Sequence, residues 1–281
     1  MVRCVALNSE TLNKRLPTRQ TATSSNSSGK TEARRELICD KYDSELGRKT
    51  IRYSWNMFSR IIEKLEIIYN VRPFNQQSVQ SLVEMHLLVG AFCPRSIVEL
   101  GAGTRSSTIA LATAAAGFPR CEILSIDINP GCFSAFASKY FPELAFAPVN
   151  DVQMNIAELA HDNPIRVLPG PILVLLDAHD DDIPGVKVFD TIRDHVFPLP
   201  VQQLIAVHDC TVLPSDANVN LPPRHVRVQH ISGRTVVGYG EVVPLVNWMN
   251  ENLVDFCRPG DELSRLGFRA DNSSLIYFFL P

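Results

Sequence analysis

The stretch that decides the fold is IVELGAGTRSSTIALA, residues 97–112. An apolar run carries an acidic residue near its end, two closely spaced glycines follow, and an Ala-rich helical segment begins a few residues later. Gly101 and Gly103 allow a tight turn in which a ligand can approach the backbone without meeting a side chain. Ser106 or Ser107 can cap the helix, whose N-terminal amides attract negative charge. The stretch predicts a strand, a ligand-binding loop and a helix.

Three acidic residues are expected around this loop. Glu99, just before the glycines, suits a cationic ligand group such as the amino group of a methionine moiety. Asp127 ends the next apolar run, where a carboxylate can accept both hydroxyls of a ribose. Asp151 is expected to open the helix after the third strand, either as a reader of an adenine amino group or as an ordinary acid favoured by the helix dipole. The pattern indicates a nucleoside cofactor.

Beyond Pro94, short apolar runs alternate with helical stretches. The expected strands are 96–100, 122–127, 144–147, 172–177 and 203–208, and the expected helices are about 105–116, 131–140, 151–161 and 185–196. Apolar strands interleaved with helices predict an α/β domain with a doubly wound, mostly parallel sheet that is covered on both faces. After a helix near 241–254, residues 263–269 and 274–280 are expected to end the sheet as a hairpin, which contributes an antiparallel C-terminal strand.

The chain divides into three predicted regions. Residues 1–30 form a basic, Ser/Thr-rich tail that is expected to be disordered, with an organelle transit peptide as the alternative. Residues 31–93 show helical periodicity and are expected to form a helical cap or lid that could also serve a homodimer. Residues 94–281 are expected to form the catalytic domain. His86 falls on an apolar helix face, which favours a core or lid histidine over a metal ligand.

Charge and cysteine usage narrow the classes of partner. Residues 1–35 carry seven basic and two acidic side chains, so the rest of the chain carries a charge of −8 within a total of −3. An acidic body argues against nucleic acid as a substrate. No apolar run approaches the length of a membrane span, which argues against a membrane partner. Seven scattered cysteines without a Cys-x-x-Cys pair favour reduced thiols and a cytoplasmic location.

On IVELGAGTRSSTIALA, ILSIDINP, LVLLDAHDD and LIAVHDC, the chain resembles the class I S-adenosylmethionine-dependent methyltransferases. Within that class it is most similar to the small-molecule O-methyltransferases of the macrocin and catechol type, over about residues 75–281. The resemblance implies a seven-stranded Rossmann-like methyltransferase fold with an N-terminal helical extension. It also implies S-adenosyl-L-methionine as cofactor and a small hydroxylated acceptor, such as a phenol, a sugar or a polyketide. Arg105 stands where the family often carries a third glycine.

Acidic residues follow the fourth and fifth predicted strands, at 177–182 (DAHDDD) and 208–210 (HDC). Ligands of open α/β sheets bind outside the carboxyl ends of the strands. Crowded carboxylates repel one another, and a divalent cation such as Mg²⁺ relieves that repulsion. In catechol-type relatives, aspartates at these two strand ends hold Mg²⁺, which implies Asp177 and Asp209 here. The relatives' amide ligand is replaced by Cys210, so Asp180, Asp181 or water is expected instead; a solvated loop without a metal is the alternative.

Methyl transfer to a hydroxyl also needs a group that takes its proton. His179 is the first candidate for this base and His208 the second, while a surface role for His179 and a core role for His208 are the alternatives. An NAD(P)-dependent oxidoreductase is the competing enzyme class. Ser106 stands where its third glycine belongs, and Glu99 would face a pyrophosphate. A SAM-binding relative without catalytic activity is the non-enzymatic alternative.

Overall fold

The computed structural model describes residues 57–61 except 59, 76–118, 120–179, 187–213, 220–258 except 222, and 274–280. The predicted tail over residues 1–30 and most of the predicted helical region before residue 76 lie outside these ranges. Asp180 and the predicted strand at 263–269 also lie outside them.

A mostly parallel sheet organises the described part of the chain. Its six strands run in the order β3-β2-β1-β4-β5-β9, and only the pairing of β5 with β9 is antiparallel. They are β1 (Ser96–Leu100), β2 (Glu122–Asp127), β3 (Val149–Gln153), β4 (Ile172–Leu176), β5 (Gln203–Val207) and β9 (Ile276–Leu280). This order confirms the predicted doubly wound, Rossmann-like sheet with an antiparallel C-terminal strand. The predicted strand number is wrong for the described residues, which contain six strands of this sheet rather than seven.

Helices cover both faces of the sheet. Their bounds are Gln76–Phe92 (α1), Ser106–Ala115 (α2), Phe133–Tyr140 (α3), Val188–His195 (α4) and Val242–Glu251 (α5). Successive strand residues point to opposite faces, so Ile97 packs with the apolar side chains around α1, α2 and α3, while Val98 packs with those around α4 and α5. Burial on both faces explains why β1, β4 and β5 are uninterrupted apolar runs. No helix among the described residues has the length and apolarity needed to cross a membrane.

The third strand lies later in the chain than its apolar signal predicts. Residues 144–147 were expected to form it, whereas β3 begins at Val149, and a 3-10 turn (Pro142–Leu144) occupies the start of the apolar stretch. β3 is an edge strand whose residues are half-buried or exposed, so it needs no continuous apolar run. Asp151 consequently lies within β3 and does not open a helix.

A second, three-stranded antiparallel sheet begins at the carboxyl edge of the first. It consists of β6 (Thr211–Leu213), β7 (Val226–Gln229) and β8 (Thr235–Gly238), in the order β6-β8-β7. The side-chain amide of Asn250 on α5 donates to the Gln229 carbonyl at 3.0 Å and accepts from the Ile231 amide at 2.8 Å. These bonds join the small sheet to α5. The sequence pattern did not predict this sheet.

We expect Gly101→Ala to destabilise the fold far more than Gly103→Ala. A Cβ at Gly101 would lie 2.5 Å from the Asp177 carbonyl oxygen, whereas a Cβ at Gly103 meets nothing within 4 Å. Both glycines have positive φ, so Gly103→Ala reports backbone strain alone, about 1 kcal/mol. Gly101→Ala adds a backbone clash and should cost at least about 2 kcal/mol more. Urea unfolding of both variants checks this, and equal losses would contradict the assigned packing of Gly101.

Candidate active site

The glycine loop is ordered by the carboxylate at the end of β2. Asp127 Oδ2 accepts hydrogen bonds from the backbone amides of Ala102 at 2.8 Å and Gly103 at 3.2 Å. Its Oδ1 accepts one from the Asn129 amide at 2.7 Å. Gly103 is exposed and has free space on its Cβ side. The loop therefore has open space beside Gly103, whereas Gly101 packs tightly against the end of β4.

Glu99 is fully buried beneath this loop. Its Oε2 accepts hydrogen bonds from Thr108 on α2 at 2.7 Å and from Ser125 on β2 at 2.6 Å. Burial raises the pKa of Glu99, although hydrogen bonds from Ser125, Ser107 and Thr108 and the nearby Arg105 charge oppose that shift. Its Oε1 is buried without a hydrogen-bond partner among the described residues. Glu99 thus joins the helix to the sheet, and its contact with a ligand amino group stays a prediction.

Arg105 occupies the position at which the glycine loop joins α2. It adopts the left-handed conformation with φ of 71° and forms the N-cap of α2, where no side chain caps the helix. The expected capping by Ser106 or Ser107 is therefore wrong. Ser106 instead lies within hydrogen-bond distance of Thr104, with the two hydroxyl oxygens 3.1 Å apart, and Ser107 is buried.

The Arg105 side chain ties the loop to two strands. Its guanidinium donates to Ser125 Oγ on β2 at 3.0 Å and pairs with Asp151 Oδ1 on β3 at 2.8 Å. It also donates to the carbonyls of Pro130 and Gly131. Asp151 Oδ2 accepts from the Phe133 amide at the start of α3, at 2.7 Å. Asp151 is thus committed to Arg105 and α3; its proposed reading of an adenine remains a prediction.

A cluster of possible metal ligands forms where β4 and β5 end. Asp177, His208 and Asp209 each offer one ligand atom, and these atoms all lie within 4.8 Å of one another. His208 Nδ1 lies 2.7 Å from Asp177 Oδ1 and 3.3 Å from Asp209 Oδ1. Burial disfavours a charge on His208, but the charge of Asp177 and its hydrogen bond outweigh that and raise the pKa of His208. The predicted pair Asp177 and Asp209 is brought together, with His208 beside them.

His179 lies between two carboxylates. Its Nδ1 donates to Glu241 Oε1 at 2.7 Å, and its Nε2 lies 3.3 Å from Asp209 Oδ2. Burial opposes protonation, but the hydrogen bonds to Asp209 and Glu241 outweigh it and raise the pKa of His179 to about 10. Burial also acts to raise the pKa of Asp209, but its bond to His179 and the nearby histidines lower it overall. The two carboxylates therefore favour the protonated form of His179, and its role as general base stays a prediction.

Cys210 takes no part in the cluster. It is 1% exposed within the apolar core, near Gly238 of the small sheet, where a Cβ would lie 3.5 Å from its sulfur. Burial, together with the charges of Glu241 and Asp209, raises the pKa of the Cys210 thiol well above its ordinary value. Cys210 is therefore a core residue and not a ligand in the cluster.

Two further groups at this edge were not predicted from the sequence. Glu241 at the start of α5 is buried and holds His179, and the ring of Tyr239 lies 4.2 Å from that of His179 and 4.5 Å from that of His225, centroid to centroid. The only signal in the sequence is the turn Gly238-Tyr239-Gly240, with an acid directly after it. Glu241 is far from His179 in the chain, so the contact between the two residues is visible only in the folded structure.

No protein-family model and no curated protein sequence matches this chain. Among solved structures, it is similar to the O-methyltransferase TomG of Streptomyces achromogenes, solved with SAM, at 17% identity over 70% of this chain and 90% of that one, with a TM-score of 0.35. It is also similar to an O-methyltransferase of Bacillus cereus in complex with SAH, at 14% identity over 64% and 89%, with a TM-score of 0.38. A third is the SAH-bound methyltransferase PaMTH1 of Podospora anserina, at 14% identity over 79% and 99%, with a TM-score of 0.35.

We expect Arg105→Ala to lower the free energy of unfolding by about 3 kcal/mol, because Asp151 would keep a largely buried charge without its cation. Arg105→Gly should lose about 1 kcal/mol less, since glycine adopts the left-handed conformation without strain. Urea unfolding measures both, with Arg166→Ala at an exposed position as the control. An alanine variant at least as stable as the glycine variant would show that no strain is stored at residue 105.

The stability contributed by protonated His179 should be lost at alkaline pH. Its folded pKa lies above the ordinary value of 6.5, so the contribution is fully present below about pH 6.5 and disappears as the pH rises through about 10. We expect the stability advantage of the wild type over His179→Gln to shrink by about 2 kcal/mol between about pH 7 and pH 10.5. Urea unfolding at both pH values measures the difference, and an unchanged advantage would mean that His179 is neutral throughout.

Proposed function

We propose that the protein is an S-adenosyl-L-methionine-dependent methyltransferase that acts on a hydroxyl group of a small acceptor, with a divalent cation at Asp177 and Asp209. The observation that carries this proposal is the direct contact between the glycine loop and the acidic strand ends. The Asp177 amide donates to the Leu100 carbonyl at 2.9 Å, and Gly101 packs on the Asp177 carbonyl. A cofactor on the loop would place its reactive end beside the acidic residues.

The loop amides favour a cofactor without a pyrophosphate. In dinucleotide-binding folds the amides after the first strand bind the pyrophosphate. Here the amides of Ala102 and Gly103 already donate to the Asp127 carboxylate, which would also repel phosphate charge. A ribose hydroxyl, by contrast, can donate to the same carboxylate. This arrangement supports a nucleoside cofactor over NAD(P).

The neighbouring strand ends supply the groups that would position the acceptor. Asp177, Asp209 and Glu241 lie within one small region, with His179 and His208 between them. A sulfonium already supplies the electrophile, so the protein's remaining task is to position the acceptor. S-adenosyl-L-methionine combines a sulfonium with a ribose.

The donor set fits a divalent cation. Asp177 and Asp209 are each partly exposed, so both carboxylates are accessible from the carboxyl edge. A bound cation would lower the pKa of an acceptor hydroxyl and orient it. The chain itself contributes the orientation of Asp209, since His179 holds one of its oxygens and Glu241 holds His179.

The five cysteines in the described ranges are all free thiols, in keeping with a reducing compartment such as the cytoplasm.

We expect S-adenosylhomocysteine to bind the protein in calorimetric titration and NAD not to bind. Asp127→Ala should weaken that binding at least roughly tenfold, because it removes both the ribose acceptor and the support of the loop. Asp194→Ala, an exposed acid on α4, is the matched control and should bind as the wild type does.

Transfer of a labelled methyl group from S-adenosyl-L-methionine to phenols, sugars and polyketides then tests the reaction itself. Asp177→Ala should abolish turnover while S-adenosylhomocysteine still binds. Binding of NAD without binding of S-adenosylhomocysteine would overturn the proposal, and transfer to an amine or thiol instead of a hydroxyl would overturn the acceptor class.

A further inference from the structure

We infer that His208 is the third protein ligand of the cation, through Nδ1, and that the site therefore selects Mn²⁺ and the heavier first-row transition ions over Mg²⁺. The inference rests on the cation proposed above at Asp177 and Asp209. It does not depend on methyl transfer, and it replaces the oxygen-only ligand set that the sequence suggested.

Two of the three donor spacings match neighbouring corners of an octahedral site. Donors at neighbouring corners of an octahedron with bonds of about 2.1 Å lie about 3.0 Å apart. His208 Nδ1 is 2.7 Å from Asp177 Oδ1 and 3.3 Å from Asp209 Oδ1, distances on either side of that value. Ligand atoms of Asp177, His208 and Asp209 all lie within 4.8 Å of one another, which allows one ion to contact all three residues. The other corners would remain for water and acceptor oxygens.

The backbone at Asp209 explains why its preceding neighbour, and not its following one, supplies the donor. Asp209 has a φ of 56°, a left-handed conformation that aspartate tolerates, where the chain leaves β5. His208 stays at the strand end beside Asp177, whereas Cys210 enters the core and is 1% exposed. A protonated thiol in the core is no ligand, so an imidazole nitrogen takes the place of the relatives' amide oxygen.

Nitrogen in the donor set decides the class of metal. Mg²⁺ prefers oxygen ligands, whereas imidazole suits Zn²⁺, Fe²⁺ and Ni²⁺, and affinity for such sites rises from Mn²⁺ towards Cu²⁺. Mn²⁺ accepts both carboxylate and imidazole and is paramagnetic. Mn²⁺ is therefore the ion to compare with Mg²⁺, and its paramagnetism allows its ligands to be identified by electron paramagnetic resonance.

The competing explanation is that a proton holds these three side chains together. A protonated His208 between two carboxylates would give the same short distances without any metal. The two explanations predict different ligands for added Mn²⁺: a histidine nitrogen is among them only if His208 is a metal ligand. The experiment therefore adds the metal alone to the full-length protein.

Mn²⁺ is titrated into the metal-free wild type, and the bound ion is examined by pulsed electron paramagnetic resonance for coupling to a nitrogen nucleus. We expect one bound ion with imidazole nitrogen coupling. His208→Asn should abolish that coupling and reduce the preference for Mn²⁺ over competing Mg²⁺ at least roughly tenfold. His179→Gln should keep the coupling, and His161→Asn, at an exposed position, should leave both affinity and coupling unchanged.

Each other outcome has a distinct meaning. Bound Mn²⁺ without nitrogen coupling in the wild type, or coupling that survives in His208→Asn, overturns the inference and leaves the cation proposal standing. If the coupling is lost in His179→Gln and kept in His208→Asn, the nitrogen ligand is His179, and the inference about His208 is wrong. No Mn²⁺ binding in the wild type overturns both the inference and the proposed cation, while binding of S-adenosylhomocysteine in the same sample shows that the cofactor proposal survives.

Discussion

Gly101 packs directly against the backbone at the end of β4, where a Cβ on residue 101 would lie 2.5 Å from the Asp177 carbonyl oxygen. This contact brings the turn after β1 and the end of β4 together at the point where the strand order reverses. Any side chain at residue 101 would separate them. Asp177 begins the acidic region, and Gly103 lies beside the open space of the glycine loop. Gly101 therefore sets the distance between the two halves of the proposed site, which are the glycine loop and the acidic strand ends.

Charged side chains fix the remaining freedom of the loop. Arg105 reaches β2 and β3, and Asp127 on β2 holds two loop amides, so the turn is attached to two neighbouring strands. At a position where glycine would adopt the same backbone without strain, this chain combines a left-handed arginine with a largely buried ion pair. The backbone strain at Arg105 is offset by contacts that a glycine could not make.

The sequence was informative wherever burial is uniform. β1, β4 and β5 are buried on both faces and appear as apolar runs, and the parallel sheet then brings Asp177 and Asp209 to one edge. It was misleading for β3, because an edge strand needs no such run. The small sheet, with its strands of three or four residues, also gave too weak a signal. Glu241 and the ligand position of His208 depend on contacts between distant segments, and residue spacing within one segment carries no information about them.

The bonds between Asp127 and the loop amides have a thermodynamic consequence for the empty protein. These amides find their partner within the chain, so the turn keeps its shape before any cofactor arrives. A nucleoside bound there would meet a loop that has already given up its conformational freedom during folding, so binding would cost little further conformational entropy of the loop. That part of the cost of binding is met when the chain folds.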